Sequence, residues 1–184
     1  MRKTVVGVMG ASANDALGEA EAARLRSMAE ALGAAVASAG CVLVTGATTG
    51  LPDLVAKAFR ASGGFALGIS PAADRREHLS LGLPEDGGDV IVYTGFGYKG
   101  RNVVNVRSAD IVIIIGGATG TLNEFTIAYD EGKIIGVLEG SGGVADHLRE
   151  IIGFCKKATA GVVLFENRPQ ALVEKCLEAF ARSG

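Results

Sequence analysis

The chain has 184 residues, with 18 Lys and Arg against 20 Asp and Glu, for a formal net charge of −2. This balance argues against a dedicated nucleic-acid-binding protein, which is usually basic overall. Hydrophobic residues make up 48% and charged residues 21% of the chain, which excludes a disordered polypeptide. The length predicts a single domain over residues 1–184.

The three cysteines and two histidines favour a compartment in which thiols stay reduced, and they argue against a metal site. The cysteines show no C-x-x-C spacing, and two histidines are few for a zinc site. The apolar stretch near the N-terminus is too short for a signal peptide, and no apolar run is long enough to span a membrane. We therefore expect a soluble cytoplasmic protein with no bound metal and no membrane contact.

Short apolar, β-branched runs alternate with helical stretches along the whole chain. The predicted strands are Thr4–Val8, Val42–Thr45, Phe65–Ile69, Val90–Tyr93, Ile111–Ile115, Ile134–Leu138 and Val162–Phe165. The predicted helices are Leu17–Ser38, Pro52–Ala61, Gly100–Ser108, Thr121–Glu131, Val144–Lys157 and Pro169–Arg182. The strands are apolar at nearly every position, as in sheets covered on both faces. The pattern predicts a single-domain, Rossmann-like α/β fold, with a doubly wound, mainly parallel sheet of about seven strands flanked by helices.

The segment Pro71–Gly88 is the longest stretch without a predicted element. It carries Arg75, Arg76 and His78. Long loops in compact domains are often functional, so we expect either a surface loop or a flap over a site.

The strongest functional signal is a glycine-rich turn between the strand Ile111–Ile115 and the helix after it. Such a turn exposes backbone N–H groups at a helix N-terminus, where an anion is favoured, and glycine lets a phosphate approach closely. The turn lacks the spacing of both the dinucleotide fingerprint and the P-loop. We predict that it binds phosphate through Gly116, Gly117, Ala118, Thr119, Gly120 and Thr121.

Glu124 follows this turn and has two interpretations. Thr121 and Glu124 fit a capping box, in which Thr121 is the N-cap and Glu124 lies three residues into the helix. A carboxylate in the first helical turn also faces any ligand bound there. Spacing favours the capping box, but the two interpretations do not exclude each other.

Two further glycine turns follow predicted strands, and an arginine precedes the main turn. Ligands bind beyond the carboxyl ends of parallel strands, so the three turns together indicate a nucleotide-sized site. Arg101 lies near the start of its helix, where a cation opposes the helix dipole, so it either pairs with an anionic group or is a solvated surface residue. The residues that these turns add to the predicted site are Gly10, Ser12, Gly46, Thr48 and Gly50.

Together these motifs resemble the Lonely Guy superfamily, and within it the branch of Rossmann-like bacterial proteins and molybdenum cofactor carrier proteins. The resemblance covers about Val5 to Leu138 and rests on the three glycine turns, Arg101-Asn102, Ser108-Ala109-Asp110 and Glu124. The superfamily's enzymes carry Pro-Gly-Gly-x-Gly-Thr-x-x-Glu. Aligned on Gly120-Thr121, this chain has Gly116 at the proline and Ala118 at the second glycine.

The resemblance implies a function and two catalytic residues. Lonely Guy enzymes are cytoplasmic oligomers that hydrolyse the N-glycosidic bond of nucleoside 5′-monophosphates to base and ribose 5-phosphate. Glu124 matches their catalytic glutamate and Arg101 their catalytic arginine. Their His-x-Arg-Lys segment reads Lys99-Gly100-Arg101-Asn102 here, which favours the carrier-like branch. The resemblance also implies a homodimer or homotetramer with no cofactor.

Two main functions remain open at this stage. The retained Arg101 and Glu124 favour a nucleoside monophosphate phosphoribohydrolase, in which the carboxylate stabilises an oxocarbenium-like transition state. The alternative is a non-catalytic carrier or sensor of a phosphorylated ligand such as molybdenum cofactor. A protein-interaction module without small-molecule chemistry is a third alternative, because a fold does not fix a function.

Overall fold

The computed structural model describes residues 2–12 and 18–183 and contains one seven-stranded sheet in which all described pairings are parallel. The strands are β1 Val5–Gly10, β2 Val42–Thr45, β3 Phe65–Ser70, β4 Val90–Tyr93, β5 Ile111–Ile115, β6 Ile134–Leu138 and β7 Val162–Glu166. All seven predicted strands are present, and the predicted Rossmann-like α/β fold is confirmed.

The helices alternate with the strands. They are α1 Glu19–Ser38, α2 Leu51–Ala61, α3 Arg75–Ser80, α4 Gly97–Arg107, α5 Thr119–Asp130, α6 Leu148–Cys155 and α7 Pro169–Ser183. A 3₁₀ turn over Gly143–His147 precedes α6, so the helix predicted over Val144–Lys157 is two shorter elements. The predicted start of α1 at Leu17 lies outside the described residues.

The strand order places a switch point at the centre of the sheet. The order is β4-β3-β2-β1-β5-β6-β7, so the chain builds outward in one direction from β1 and then in the other from β5. β1 and β5 pair in register up to Gly10 and Ile115, so both strands end at the same edge. Connections diverge at this point and leave a crevice beyond the strand ends, where open α/β sheets bind their ligands.

Both faces of the sheet are covered by apolar packing. One cluster packs α1, α2 and α7 against the sheet, and Phe59 and Leu32 are among its fully buried members. The other packs α4, α5 and α6 against the opposite face through residues such as Phe125 and Leu148. Every residue of β5 is buried, which explains its uninterrupted apolar sequence.

The prediction of a loop or flap over Pro71–Gly88 is wrong in two respects. The segment contains helix α3, and His78 in that helix is fully buried, with Nδ1 at 2.8 Å from Ser70 Oγ and Nε2 at 3.0 Å from the Pro84 carbonyl oxygen. No residue of this segment lines the main cavity. The His78 ring therefore links α3 to Ser70 at the end of β3 and to Pro84 later in the same segment. Within the described residues, no helix is both long enough and apolar enough to cross a membrane.

Candidate functional site

A cavity of about 680 Å³ opens beyond the carboxyl ends of β1, β2 and β5. Its walls come from the turns after these strands, from α1 and α2 on one side, and from α4 and the start of α5 on the other. The predicted site residues that line it are Gly10, Ser12, Gly46, Thr48, Gly50, Arg101, Gly116, Gly117, Ala118, Gly120, Thr121 and Glu124. Thr119 does not line the cavity and its side chain is exposed, because it lies on the outer side of the first turn of α5.

The turn at the start of α5 presents a continuous row of backbone donors. Gly116 and Gly117 adopt φ angles of +60° and +100°, which only glycine adopts readily. The first backbone hydrogen bond of the helix runs from Leu122 N to Ala118 O at 2.9 Å. The N–H groups of residues 117–121, here called the amide row, have no acceptor within the part of the chain that the structure describes.

The capping box predicted for Thr121 and Glu124 is not formed. Helix α5 begins at Thr119, so its N-cap is Ala118, and the N-cap position supplies no side-chain hydrogen bond. The carboxylate of Glu124 is therefore not used to close the helix end. It turns instead toward α4, where it meets Arg101.

Arg101 and Glu124 form a buried ion pair on the floor of the cavity. Arg101 Nη1 donates to Glu124 Oε1 at 3.3 Å, and the two side chains are only 6% and 8% exposed. Arg101 is thus not the solvated surface arginine that the sequence left open. Glu124 also accepts from Asn105 Nδ2 at 3.2 Å. Asn102 lies beside the same carboxylate. In the amide orientation in which its Nδ2 faces this carboxylate, Asn102 donates to Glu124 Oε1 at 3.3 Å and to the Tyr98 carbonyl at 2.9 Å.

These donors converge on one oxygen of the carboxylate. Glu124 Oε2 accepts no hydrogen bond from the described residues, and it is not among the fully enclosed polar atoms. Because Glu124 lines the cavity, Oε2 is the oxygen that a bound molecule can reach. Two neighbouring atoms, Arg101 Nε and Asn105 Oδ1, are enclosed and have no partner among the described residues.

Burial shifts the ionisation of both members of the pair. It raises the pKa of the Glu124 carboxyl above its ordinary value, against the opposing effects of Arg101, Asn105 and Lys99. It lowers the pKa of the Arg101 guanidinium, against the opposing charge of Glu124. Both charged forms are costly inside the protein, and each depends on the other for compensation.

Gly46 allows Arg101 to take this position. A Cβ atom at residue 46 would lie 2.3 Å from Arg101 Nη1 and 2.7 Å from Cζ, so the guanidinium lies directly against the backbone of the turn after β2. A side chain there would occupy the volume of the guanidinium. The glycine in this turn therefore serves the ion pair, which the sequence alone did not indicate.

The turns before α2 and α5 are not electrostatically equivalent. Both helices lack a side-chain hydrogen bond at their N-caps. However, α2 carries Asp53 in its first turn, and Asp53 pairs with Lys57 at 2.9 Å, whereas the first turn of α5 has no acidic residue. In addition, Leu51 N at the start of α2 already donates to Ala11 O at 2.9 Å and Pro52 has no N–H, so within the described residues the start of α5 is the helix end with consecutive free N–H groups for a ligand.

Several cavity residues were missed by the sequence analysis. They are Arg26 on α1, Tyr98, Lys99, Asn102 and Asn105 on α4, and the segment Ser141-Gly142-Gly143 after β6. This last segment is a fourth glycine turn following a strand, so the rule that located the other three turns also applies to it. Within residues 2–12 and 18–183, no group of three or more His, Cys, Asp or Glu side chains could hold a metal ion.

Comparison with known proteins identifies the family of the chain. The family model described as the SLOG cluster4 family matches residues 3–173. An uncharacterized protein of Archaeoglobus fulgidus is 33% identical over 139 residues, which are 76% of this chain and 82% of that protein.

Solved structures show the same fold over the full length. The structure of TM1055 has a TM-score of 0.82 and 26% identity, covering 95% of this chain and 99% of that one. The molybdenum cofactor binding protein from Rippkaea orientalis has a TM-score of 0.75 and 27% identity, covering 100% and 98%. The resemblance inferred from the motifs is confirmed, and the chain belongs to the SLOG cluster4 family.

Proposed function

We propose that this protein binds a phosphorylated small molecule of nucleotide size, with its phosphate on the amide row. The observation that carries the proposal is the row itself: five successive N–H groups at the positive end of α5, without an acceptor in the described structure and without a nearby acidic residue in that helical turn. Successive backbone N–H groups at a helix N-terminus favour an anion. The cavity volume of about 680 Å³ lies within the range of small-molecule sites, roughly 300–1,000 Å³.

The positive charge beside the row supports an anionic ligand. Lys99 Nζ lies 3.9 Å from where a Cβ atom on Gly120 would be, which places an ammonium group beside the row. Glu124, the carboxylate nearest to it on α5, is neutralised by Arg101. The floor therefore repels a phosphate little, while the exposed Lys99 attracts it.

Glu124 Oε2 supplies the second recognition point. This oxygen faces the cavity with its acceptor capacity unused, whereas Oε1 is occupied by Arg101 and Asn105. A hydroxyl or an N–H of the ligand donates to it. Because Glu124 follows the amide row by three residues on one helix, the ligand carries this donor close to its phosphate.

We further propose that the ligand is held intact, as in a carrier or sensor. The similarity to the molybdenum cofactor binding protein of Rippkaea orientalis, at 27% identity over the whole chain, supports a phosphorylated pterin of that class. The turn itself also supports this function. Gly116 has a φ of +60°, which proline does not adopt, so the turn begins differently from the Pro-Gly-Gly motif of the enzymes.

Hydrolysis of a nucleoside 5′-monophosphate is the second candidate, because Arg101 and Glu124 lie together on the cavity floor. In this reaction the bond between the base nitrogen and the ribose C1′ breaks, and the electron pair leaves with the base. The carboxylate stabilises the oxocarbenium-like ribosyl group, water adds to C1′, and the base takes up a proton. The products are base and ribose 5-phosphate.

A thermal-shift screen combined with mass spectrometry of the same samples separates these functions. The panel contains nucleoside monophosphates, dinucleotides and molybdopterin, tested with wild type, Glu124→Gln and the exposed control Glu30→Gln. A ligand at 100 times its Kd stabilises by about 2.7 kcal/mol, a rise in Tm of roughly 5–10 °C. A stabilising ligand recovered intact supports the carrier.

Turnover gives a different result. Ribose 5-phosphate released by wild type and by Glu30→Gln, but not by Glu124→Gln, would establish the hydrolase and exclude the carrier. If no phosphorylated compound in the panel raises the Tm, the proposed binding function is wrong.

A further inference from the structure

The loop between β6 and the 3₁₀ turn, here called the support loop (residues 139–145), holds the start of the amide row. Ser141 in this loop is only 2% exposed. Its Oγ accepts a hydrogen bond from Gly116 N at 2.8 Å and donates to the carbonyl of Leu138 at 2.5 Å. The hydroxyl thus joins the ends of two neighbouring strands, β5 and β6.

Backbone N–H groups of the support loop also donate hydrogen bonds to both carbonyl groups at the start of the turn. Val144 N donates to Gly117 O at 2.8 Å, and Ala145 N donates to Gly116 O at 3.1 Å. The backbones touch, because a Cβ atom on Gly143 would lie 2.3 Å from Gly117 O. With these two carbonyls directed into the support loop, the N–H groups that follow are directed away from it.

Further hydrogen bonds hold the support loop itself in place. The two carboxylate oxygens of Asp146 accept from Gly140 N at 2.7 Å and from Gly142 N at 3.0 Å. Arg24 donates to the carbonyl of Gly140, which joins the loop to α1, a helix that forms part of the cavity wall. The position of Ser141 is therefore fixed from both sides.

We propose that Ser141 is a positioning residue for anion recognition, which orients the Gly116 peptide so that the amide row converges on one phosphate. This inference rests on the proposed function. Ser141 acts through Gly116 and contributes no charge. In the Pro-Gly-Gly motif that this turn resembles, the first residue is a proline, which has no N–H to donate and a fixed φ near −65°. Here a glycine with φ of +60° is held by a hydrogen bond instead.

The test compares phosphate affinity among variants of Ser141. The probe is inorganic phosphate, titrated against sodium chloride of equal ionic strength, with binding followed in ¹H–¹⁵N correlation spectra. Ser141→Ala removes the hydroxyl, Ser141→Thr keeps it, and Ser141→Cys replaces it with a weaker hydrogen-bonding group. Ser108→Ala is the matched control, because Ser108 Oγ donates to Val104 O at 2.7 Å on the exposed side of α4.

We expect about a ten-fold rise in the Kd for phosphate in Ser141→Ala, a smaller rise in Ser141→Cys, and values close to wild type in Ser141→Thr and Ser108→Ala. The titrations are made well below the Tm of each variant, so a general loss of stability does not produce this pattern. The Gly116 amide resonance should also move in the unliganded Ser141→Ala spectrum, because its acceptor is gone.

Two outcomes would overturn the inference, and they are distinguishable from failure of the proposed function. If Ser141→Ala binds phosphate as wild type does, Ser141 does not position the row, although phosphate still binds there. If Ser141→Ala does not fold, wild-type affinity in Ser141→Cys or a ten-fold loss in Ser141→Thr overturns it. If wild type shows no phosphate-dependent shifts at the amide row, the proposed function itself fails.

Discussion

The substitution Arg101→Met tests the buried ion pair. It replaces the guanidinium-bearing side chain with an unbranched apolar one and so removes the positive charge. The carboxylate of Glu124 then stays inside the protein, 8% exposed, with only amide donors as partners. The variant therefore isolates the electrostatic cost of leaving Glu124 without its counter-charge.

The expected loss of stability follows from the separation and burial of the pair. At 3.3 Å, two unit charges attract by about 5 kcal/mol if the effective dielectric constant is roughly 20. Removing one member of a buried pair generally costs about 3–5 kcal/mol. We expect Arg101→Met to lose about 4 kcal/mol in the free energy of unfolding, a fall in Tm of roughly 10 °C.

The loss should depend on pH. Burial already raises the pKa of Glu124, and Arg101 opposes that shift, so removing Arg101 raises the pKa further. A carboxyl group whose folded pKa lies above its unfolded value gives most stability below the unfolded pKa, about 4.3, and loses it as the pH rises through the folded pKa. The difference between Arg101→Met and wild type should therefore be larger at pH 8 than at pH 5.

Urea unfolding followed by far-UV circular dichroism measures this difference, since the chain has no tryptophan to serve as a fluorescent probe. The control is Arg107→Met in the same helix. Arg107 pairs with Glu131 at 2.7 Å, but its side chain is 66% exposed, so the expected loss is at most about 1 kcal/mol. Equal losses for Arg101→Met and Arg107→Met, or a loss that does not shrink on acidification, would refute the reasoning.

Two further substitutions test particular contacts. Gly46→Ala should displace the guanidinium of Arg101, which would lie 2.3 Å from the new Cβ atom, so we expect a loss of about 1–3 kcal/mol and weaker phosphate binding. Unchanged phosphate binding would show that the guanidinium position is irrelevant. His78→Leu leaves the Ser70 hydroxyl and the Pro84 carbonyl without their partner and should cost about 1–3 kcal/mol in urea unfolding. Because His78 does not line the cavity, the affinity for a stabilising ligand, measured by calorimetry, should not change. A large change would support the rejected prediction that this segment is a flap over the site.

The sequence predicted the sheet well because its strands are unusually clear. Most are short apolar runs rich in β-branched residues, and five of the seven predicted strands have a glycine within two residues of their end, so local pattern and tertiary environment agree. The strand order was not predictable in the same way, because it depends on which helix packs on which face. The expectation that three glycine turns share one edge followed from parallel strands alone, and all three turns line the cavity.

Two local errors came from capping signals. Thr121 and Glu124 matched the pattern of a capping box, yet Gly117, with φ of +100°, turns the chain early enough for α5 to begin at Thr119. Conversely, α3 has a side-chain N-cap, Asp74, that was overlooked. Asp74 accepts from Glu77 N at 2.8 Å, and Glu77 accepts from Ala73 N at 2.7 Å.

The contacts that define the site link residues far apart in the sequence. Arg101 and Glu124 are 23 positions apart, and Gly116 and Ser141 are 25 apart. No local periodicity encodes such a pair, because each depends on the close approach of two elements in the fold. The motif resemblance assigned Arg101 and Glu124 to one site. The contact between Ser141 and Gly116, in contrast, depends on the pairing of β5 with β6.

The measurement that tests the central claim most directly is a ¹H–¹⁵N map of wild type titrated with inorganic phosphate, with chloride of equal ionic strength as the reference. We expect saturable downfield amide-proton shifts at residues 117–121, from N–H groups that gain a charged acceptor, and much smaller shifts at Gly50, Leu51 and Asp53, because Leu51 N already donates to Ala11 O and Asp53 opposes an anion. Shifts confined to Gly50, Leu51 and Asp53, or no difference from chloride, would contradict the proposed phosphate site.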